Sequence, residues 1–121
     1  MAGMLYLVPT PIGNLGDISK RARETLESAD FIAAEDTRVT LKLLNHLELK
    51  KPLVSYYEHN KSFKGEKILD RILSGETCAL VSDAGSPAIS DPGEDLVKQC
   101  AAAGITVCAI PGPCAAITAL S

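Results

Sequence analysis

A strict alternation constrains this chain more than any other feature: five short apolar runs, each followed by turn-forming residues and then by a stretch of helical periodicity. The runs are Met4–Val8, Phe31–Ala34, Leu53–Ser55, Cys78–Val81 and Ile105–Ile110. Short apolar runs bounded by Pro, Gly and Asp read as buried strands. Joining one buried strand to the next through a helix in so few residues requires parallel pairing and right-handed crossovers. The pattern therefore predicts an α/β fold: a three-layer α/β/α sandwich around a mostly parallel five-stranded sheet, forming one domain over residues 1–121.

The helices between the runs have legible starts and stops. Asp17 can cap a helix with Ile18, Ala22, Thr25, Leu26 and Ala29 on one face. Thr37 to Leu47 forms a second, with Leu41, Leu44 and Leu47 spaced by three. Ser62 opens a third, with Ile68, Leu69, Ile72 and Leu73 inward and Gly75 as its stop. The clearest start is Asp91 as cap, Pro92 at the first helical position and Glu94 two residues on; this helix shows Leu96, Val97, Cys100 and Ala101 to the core and ends at Gly104. Pro111-Gly112-Pro113 predicts a turn into a last, small-residue helix. That apolar pattern is still running at Ser121, which predicts a fragment of a longer protein.

Composition narrows the class. Hydrophobic residues make up 46% and aromatics only 4%, so the core is built from Val, Ile, Leu and Ala. No apolar run approaches the ~20 residues of a membrane span, and the amino terminus lacks the order of a signal peptide; a soluble, cytoplasmic protein with no membrane partner is expected. The four cysteines, 78, 100, 108 and 114, show no C-x-x-C spacing, so the expectation is reduced thiols, buried where they fall in apolar runs, and no metal. A net charge of −3 is no footprint of a general nucleic-acid binder. The charge is unevenly spread, however: residues 38–71 hold eight Lys or Arg against four acids, the rest four against eleven. Such a basic segment suits an anionic partner on one face, or is the solvated side of two helices.

Each run empties into a loop rich in small and polar residues. The richest is Ser82-Asp83-Ala84-Gly85-Ser86-Pro87-Ala88-Ile89-Ser90-Asp91-Pro92-Gly93. Ala84, Gly85 and Ala88 let a ligand approach the backbone, while Ser82, Asp83 and Ser86 supply donors and acceptors. Open α/β sheets bind ligands beyond the carboxyl ends of their strands, so this stretch predicts a small-molecule site. Gly112 to Ala116 presents an end trimmed of bulk as a facing wall. Cys114 there is a conceivable nucleophile, with no histidine placed beside it. The first loop, Pro9 to Asp17, has two glycines but matches neither the dinucleotide fingerprint nor the phosphate loop. Glu35 and Asp36, before Arg38, can bind ribose hydroxyls or polarise a substrate hydroxyl, or cap the next helix. Tyr56, Tyr57, His59, Asn60 and Lys61 offer aromatic faces and hydrogen-bonding groups to a nucleotide, and His59 can take a proton.

The motifs Pro9-Thr10-Pro11-Ile12-Gly13-Asn14-Leu15-Gly16-Asp17-Ile18, Ala34-Glu35-Asp36-Thr37-Arg38, Ser82 to Gly93 and Pro111-Gly112-Pro113 resemble the tetrapyrrole methylase superfamily, and within it the branch that methylates ribosomal RNA. The resemblance covers the whole chain and corresponds to the amino-terminal half of such enzymes. It implies S-adenosylmethionine as methyl donor, a cytidine ribose 2′-hydroxyl of small-subunit ribosomal RNA as acceptor, a homodimer, and inactivity of this half alone. Carried over, Pro11, Ser82, Asp83, Ala84, Gly85, Ser86, Pro87, Gly112, Pro113, Cys114 and Ala115 hold the cofactor. Cys114 stands where the superfamily often has serine. Glu35, Asp36 and Arg38 lie near the reacting end.

Transfer to a poorly nucleophilic hydroxyl asks for collinear positioning, able to supply ~7–11 kcal/mol, and for proton removal. Asp36 is ranked first as base, before Glu35 and His59. Arg38, Lys42, Tyr57, Asn60 and Lys61 are the expected RNA contacts. Two rival readings are a tetrapyrrole C-methylase, which asks for a larger apolar trough than the polar loop after Ser55 suggests, and a nucleotide-binding module without catalysis.

Overall fold

The computed structural model describes residues 3–9, 20–34, 37–56, 61–82, 91–110 and 114–116, with residues 9, 61–63, 82, 91–94 and 114–116 described by their backbone alone. The strands are β1 (Leu5–Pro9), β2 (Phe31–Ala34), β3 (Leu53–Ser55), β4 (Cys78–Ser82), β5 (Thr106–Ala109) and β6 (Cys114–Ala116). The helices are α1 (Lys20–Ser28), α2 (Thr37–His46), α3 (Lys61–Leu73) and α4 (Asp91–Ala102). One sheet runs in the order β3-β2-β4-β1-β5-β6. The five strands predicted from the apolar runs are all present and mutually parallel, as the short helical connections demand.

Two apolar cores lie on opposite faces of this sheet, and the period of two along each strand decides which residue enters which. On one face Ile32, Ala34, Ala79 and Val81 meet Ala22 and Leu26 of α1 and Leu43 and Leu44 of α2. On the other, Phe31, Ala33, Cys78 and Leu80 meet Ile68 and Ile72 of α3 and Leu96 and Cys100 of α4. Strands buried on both faces read as continuous apolar runs rather than alternating ones, and the all-buried β2 is the clearest example. Leu26 is fully buried, which contributes about 1.5–3 kcal/mol.

Several expectations need correction. Of the three leucines spaced by three, Leu44 and Leu47 are buried but Leu41 is 50% exposed. The helix turns every 3.6 residues, so its inward row is Thr40, Leu43, Leu44 and Leu47, and a strict spacing of three drifts off that face. Leu73, expected inward, is 44% exposed at the end of α3. Ser62 is not the residue before α3 but lies inside its first turn, since the helix starts at Lys61. Tyr56 is no stacking platform: it is fully buried among Phe31, Ile68 and Ile72.

The largest departure is at the far edge. Cys114 and Ala115, expected at the start of a last helix, lie in β6, antiparallel to β5, with Cys108 opposite Cys114 and Val107 opposite Ala115. β5 would otherwise present an unpaired edge, and the four residues between the two strands permit only antiparallel return. The sheet therefore has six strands, the sixth outside the parallel set. The cysteine expectation also fails in part: Cys78 and Cys100 are free and buried, but Cys108 is disulfide-bonded.

Candidate functional site

Strand direction and register bring the predicted loops to one edge. The carboxyl ends of the strands lie side by side, with Ser55 opposite Ala34, Ala34 opposite Val81, Pro9 opposite Ser82 and Leu7 opposite Ala109. Flanking backbone bonds extend the alignment: the Tyr56 N–H donates to the Ala34 carbonyl (2.8 Å) and the Ile110 N–H to the Leu7 carbonyl (3.0 Å). The five strands thus release their connections at the same rim, whatever their separation in sequence.

The topology also singles out one place on that rim. From β1 the chain moves towards β2 and β3, with α1 and α2 on one face; from β3 it returns through β4 to β5, with α3 and α4 on the other. Right-handed crossovers require this change of face when the direction of travel reverses. β4 sends its connection to the opposite face of the sheet from both of its neighbours, β1 and β2, so its carboxyl end at Ser82, beside Pro9 of β1, is a topological switch point. Ligands of open α/β sheets sit in the crevice at such a switch point, and the connection that follows Ser82 is the one whose sequence is richest in small and polar residues.

Among the predicted cofactor residues, Ser82 ends β4 beside this crevice, while Cys114 and Ala115 lie in β6, two strands from β1. Pro11, Asp83, Ala84, Gly85, Ser86, Pro87, Gly112 and Pro113 lie outside the described residues, as do Glu35, Asp36, Tyr57, His59 and Asn60. Arg38 and Lys42 are exposed on α2, and Lys61 is the first residue of α3. The structure adds residues that the sequence reading did not select: Leu41, Leu53, Val54, Ser55 and Lys64 line a groove with Thr37 and Arg38. The excess of cations between residues 38 and 71 was its one signal.

The described thiols offer no nucleophile. Burial pushes the Cys78 thiol far up, with Cys100 beside it adding to the shift, and burial raises Cys100 to about 11. Both remain protonated and inert at neutral pH. Among the described residues no group of three His, Cys, Asp or Glu could hold a metal ion, and no helix is long and apolar enough to cross a membrane.

A mostly parallel sheet covered by helices on both faces, with its switch point at the end of β4, defines an α/β domain, and residues 4–121 match the family of Tetrapyrrole (Corrin/Porphyrin) Methylases, to which the chain belongs. It is 56% identical over 120 residues to Ribosomal RNA small subunit methyltransferase I of Vibrio cholerae, covering 99% of this chain and 42% of the relative. The protein of the same name from Halalkalibacterium halodurans is 59% identical over 118 residues, covering 98% and 41%. The chain thus spans about two-fifths of the length of these curated relatives. Among solved structures, uroporphyrin III C-methyl transferase from Thermus thermophilus shares the fold, with a TM-score of 0.70 at 17% identity over 98% of this chain and 50% of that one.

Proposed function

We propose that this chain is the amino-terminal half of an enzyme that transfers a methyl group from S-adenosylmethionine to small-subunit ribosomal RNA, at the 2′-hydroxyl of a cytidine ribose. One observation carries the reading: identity of 56–59% to relatives of that name, sustained over essentially the whole chain. The fold likeness at 17% identity speaks for architecture alone and lends no weight to a tetrapyrrole acceptor.

The donor set at the switch crevice fits the cofactor. β1 and β4 end side by side at Pro9 and Ser82, and the sequence that follows Ser82 offers hydroxyls, a carboxylate and residues with little or no side chain. When bound, S-adenosylmethionine supplies an electrophilic methyl group on a sulfonium. Ser82, Asp83 and Ser86 offer hydrogen bonds to its polar groups, with Pro11, Pro87 and Pro113 stiffening the surrounding turns. Ala84, Gly85, Gly112 and Ala115 leave the backbone approachable, and Cys114 is small enough for the same wall. Asp36, following the end of β2 at Ala34, takes the proton from the attacking ribose hydroxyl, with Glu35 and His59 as its alternates. Arg38, Lys42, Tyr57, Asn60 and Lys61 contact the RNA.

The proposal includes a second, carboxy-terminal domain completing the cleft, a homodimer, and a cytoplasmic location where ribosomal RNA is made accessible. The test is transfer of labelled methyl from S-adenosylmethionine to small-subunit ribosomal RNA by the full-length protein, followed by mapping of the product. A label on a cytidine 2′-oxygen is expected. Label on a base, or on a tetrapyrrole and no RNA, would overturn the assignment of acceptor.

A further inference from the structure

The chain leaves β3 at Ser55 and enters α3 at Lys61, and Tyr56 stands just before the connection Tyr57-Glu58-His59-Asn60. Tyr56 is held at both backbone and ring. Its N–H donates to the carbonyl of Ala34, the last residue of β2 (2.8 Å). Its side chain is fully buried in the core that contains Phe31, Ile68 and Leu96. About one turn after its start, α3 passes against this ring at the buried Gly65. A Cβ at residue 65 would lie 3.5 Å from Cε1 of Tyr56 and 3.3 Å from the side-chain nitrogen of Gln99 on α4.

Glycine is, after proline, the poorest residue for a helix interior, and here its place has a packing cause. Tyr56 on one side and Gln99 on the other leave space for a methyl group at most. The close approach locks the two ends of one short connection to each other: the residue before it meets the helix that follows it. A short connection whose ends are held has few conformations left. This one carries Tyr57, His59 and Asn60, the residues read from the sequence as RNA contacts and as an alternate base. Groups that must meet a substrate in a fixed geometry need support from neighbours whose own positions are locked by packing.

We propose that Tyr56 and Gly65 are positioning residues for RNA: their contact fixes both ends of the connection 57–60 and so holds in place the groups it offers to the substrate. Neither residue touches RNA itself, and Gln99 backs Gly65 from α4. The proposal rests on the reading of the protein as an RNA methyltransferase and adds to it the anchor behind one of its RNA-contacting segments.

The test uses the full-length protein with small-subunit ribosomal RNA as substrate. Tyr56→Leu removes the ring, and Gly65→Val disturbs the same contact from the helix side should the first variant be too unstable to assay. Ile72→Ala is the control: it damages the same core at the far end of α3, where the Ile72 carbonyl accepts from the Gly3 N–H (2.7 Å). All three lower Tm. Only the first two should raise KM for RNA, by roughly 10–100-fold, with affinity for S-adenosylmethionine near that of the parent. They should also speed hydrogen exchange in residues 57–60, which Ile72→Ala leaves unchanged. Tyr56→Phe keeps the ring and should restore both readouts. An unchanged KM for RNA in the first two, an equal rise in Ile72→Ala, or no rescue by phenylalanine would each overturn the proposal. A parent protein that methylates no RNA would sink the underlying reading and this role with it, while the exchange result still tells whether the anchor exists.

Discussion

Arg71 makes three contacts at the end of the sheet opposite the switch crevice. Its Nε and Nη2 donate to the two carboxylate oxygens of Glu76, at 3.0 and 2.8 Å, and its guanidinium lies 3.7 Å from the centroid of the Phe31 ring. The hydrogen bonds from Arg71 hold the Glu76 carboxyl below its ordinary range, and the same bonds raise the guanidinium. A lowered carboxyl pKa contributes stability that is present above the ordinary glutamate value, about 4.3, and is lost as pH falls through the lower folded value. The raised guanidinium contributes at every pH below its own ordinary range, so only the acid limb is visible. Arg71→Ala should therefore cost about 1 kcal/mol through the ring contact, a Tm drop of a few degrees at neutral pH. The gap to the parent should narrow below about pH 4 and with added salt, because the pair is partly exposed. Thermal melts across pH check this; a gap independent of pH would assign the effect to packing alone. At the proposed reacting end, Asp36→Asn in the full-length enzyme should lower kcat by roughly 10²–10⁴ while affinity for S-adenosylmethionine is kept. Full turnover in that variant would remove Asp36 from the role of base.

The helices show what can and cannot be read in advance. Three of them end in the same motif. In α3 the Glu76 and Gly75 N–H groups return to the Arg71 and Ile72 carbonyls (3.1 and 3.0 Å), and in α4 Ile105 and Gly104 return to Cys100 and Ala101 (2.9 and 3.1 Å). Gly75 and Gly104 take positive φ, 113° and 77°, the left-handed conformation this motif needs, so both stops were legible as glycines. In α2 the same bonds run from Leu49 to Leu44 and from Glu48 to Asn45 (2.9 and 3.1 Å), yet the left-handed residue is Glu48, at φ 60°. Leu49 packs on the core that contains Leu44, and this apolar contact holds a side chain in a conformation that costs roughly 1–2 kcal/mol. Glu48→Gly should recover about 1 kcal/mol, read as a higher denaturation midpoint at unchanged m-value. An unaltered midpoint would mean that the loss of backbone freedom on folding offsets the relief. The same competition between local signal and tertiary contact explains the other departures. Strand positions and the inward faces of α1 and α4 follow from periodicity, because both cores are built on it. Leu41 and β6 do not, because one depends on which side of α2 faces the sheet and the other on an open edge at β5. The groove was illegible for a related reason: Arg38, Val54 and Lys64 come together only through the pairing of β2 with β3.

For the molecule as a whole, folding and ligand binding place different demands on this chain. Both faces of the sheet are covered by helices and both cores contain fully buried residues from strands and helices alike, so a single cooperative transition is the expected outcome of a thermal melt of this chain. The crevice between β1 and β4 is another matter: its rim comes from this chain, but relatives named for the activity are more than twice as long. Ligand pockets bury 70–90% or more of a drug-sized molecule, and under the proposal that a second domain supplies the other wall, this half alone buries far less. Each 1.4 kcal/mol of lost contact weakens binding about tenfold, and contacts removed from one whole wall amount to several such steps. Calorimetric titration of S-adenosylmethionine into the full-length protein and into this chain should therefore give saturable binding to the first and at least ~100-fold weaker or undetectable binding to the second. A cooperative melt of the chain excludes misfolding as the cause, and ATP and NAD serve as controls. Equal affinity in the two forms would show that the cofactor needs only this half, and would refute the two-domain cleft. Preference for ATP or NAD in both would refute the methyl donor itself, leaving a nucleotide-binding module on a methylase fold.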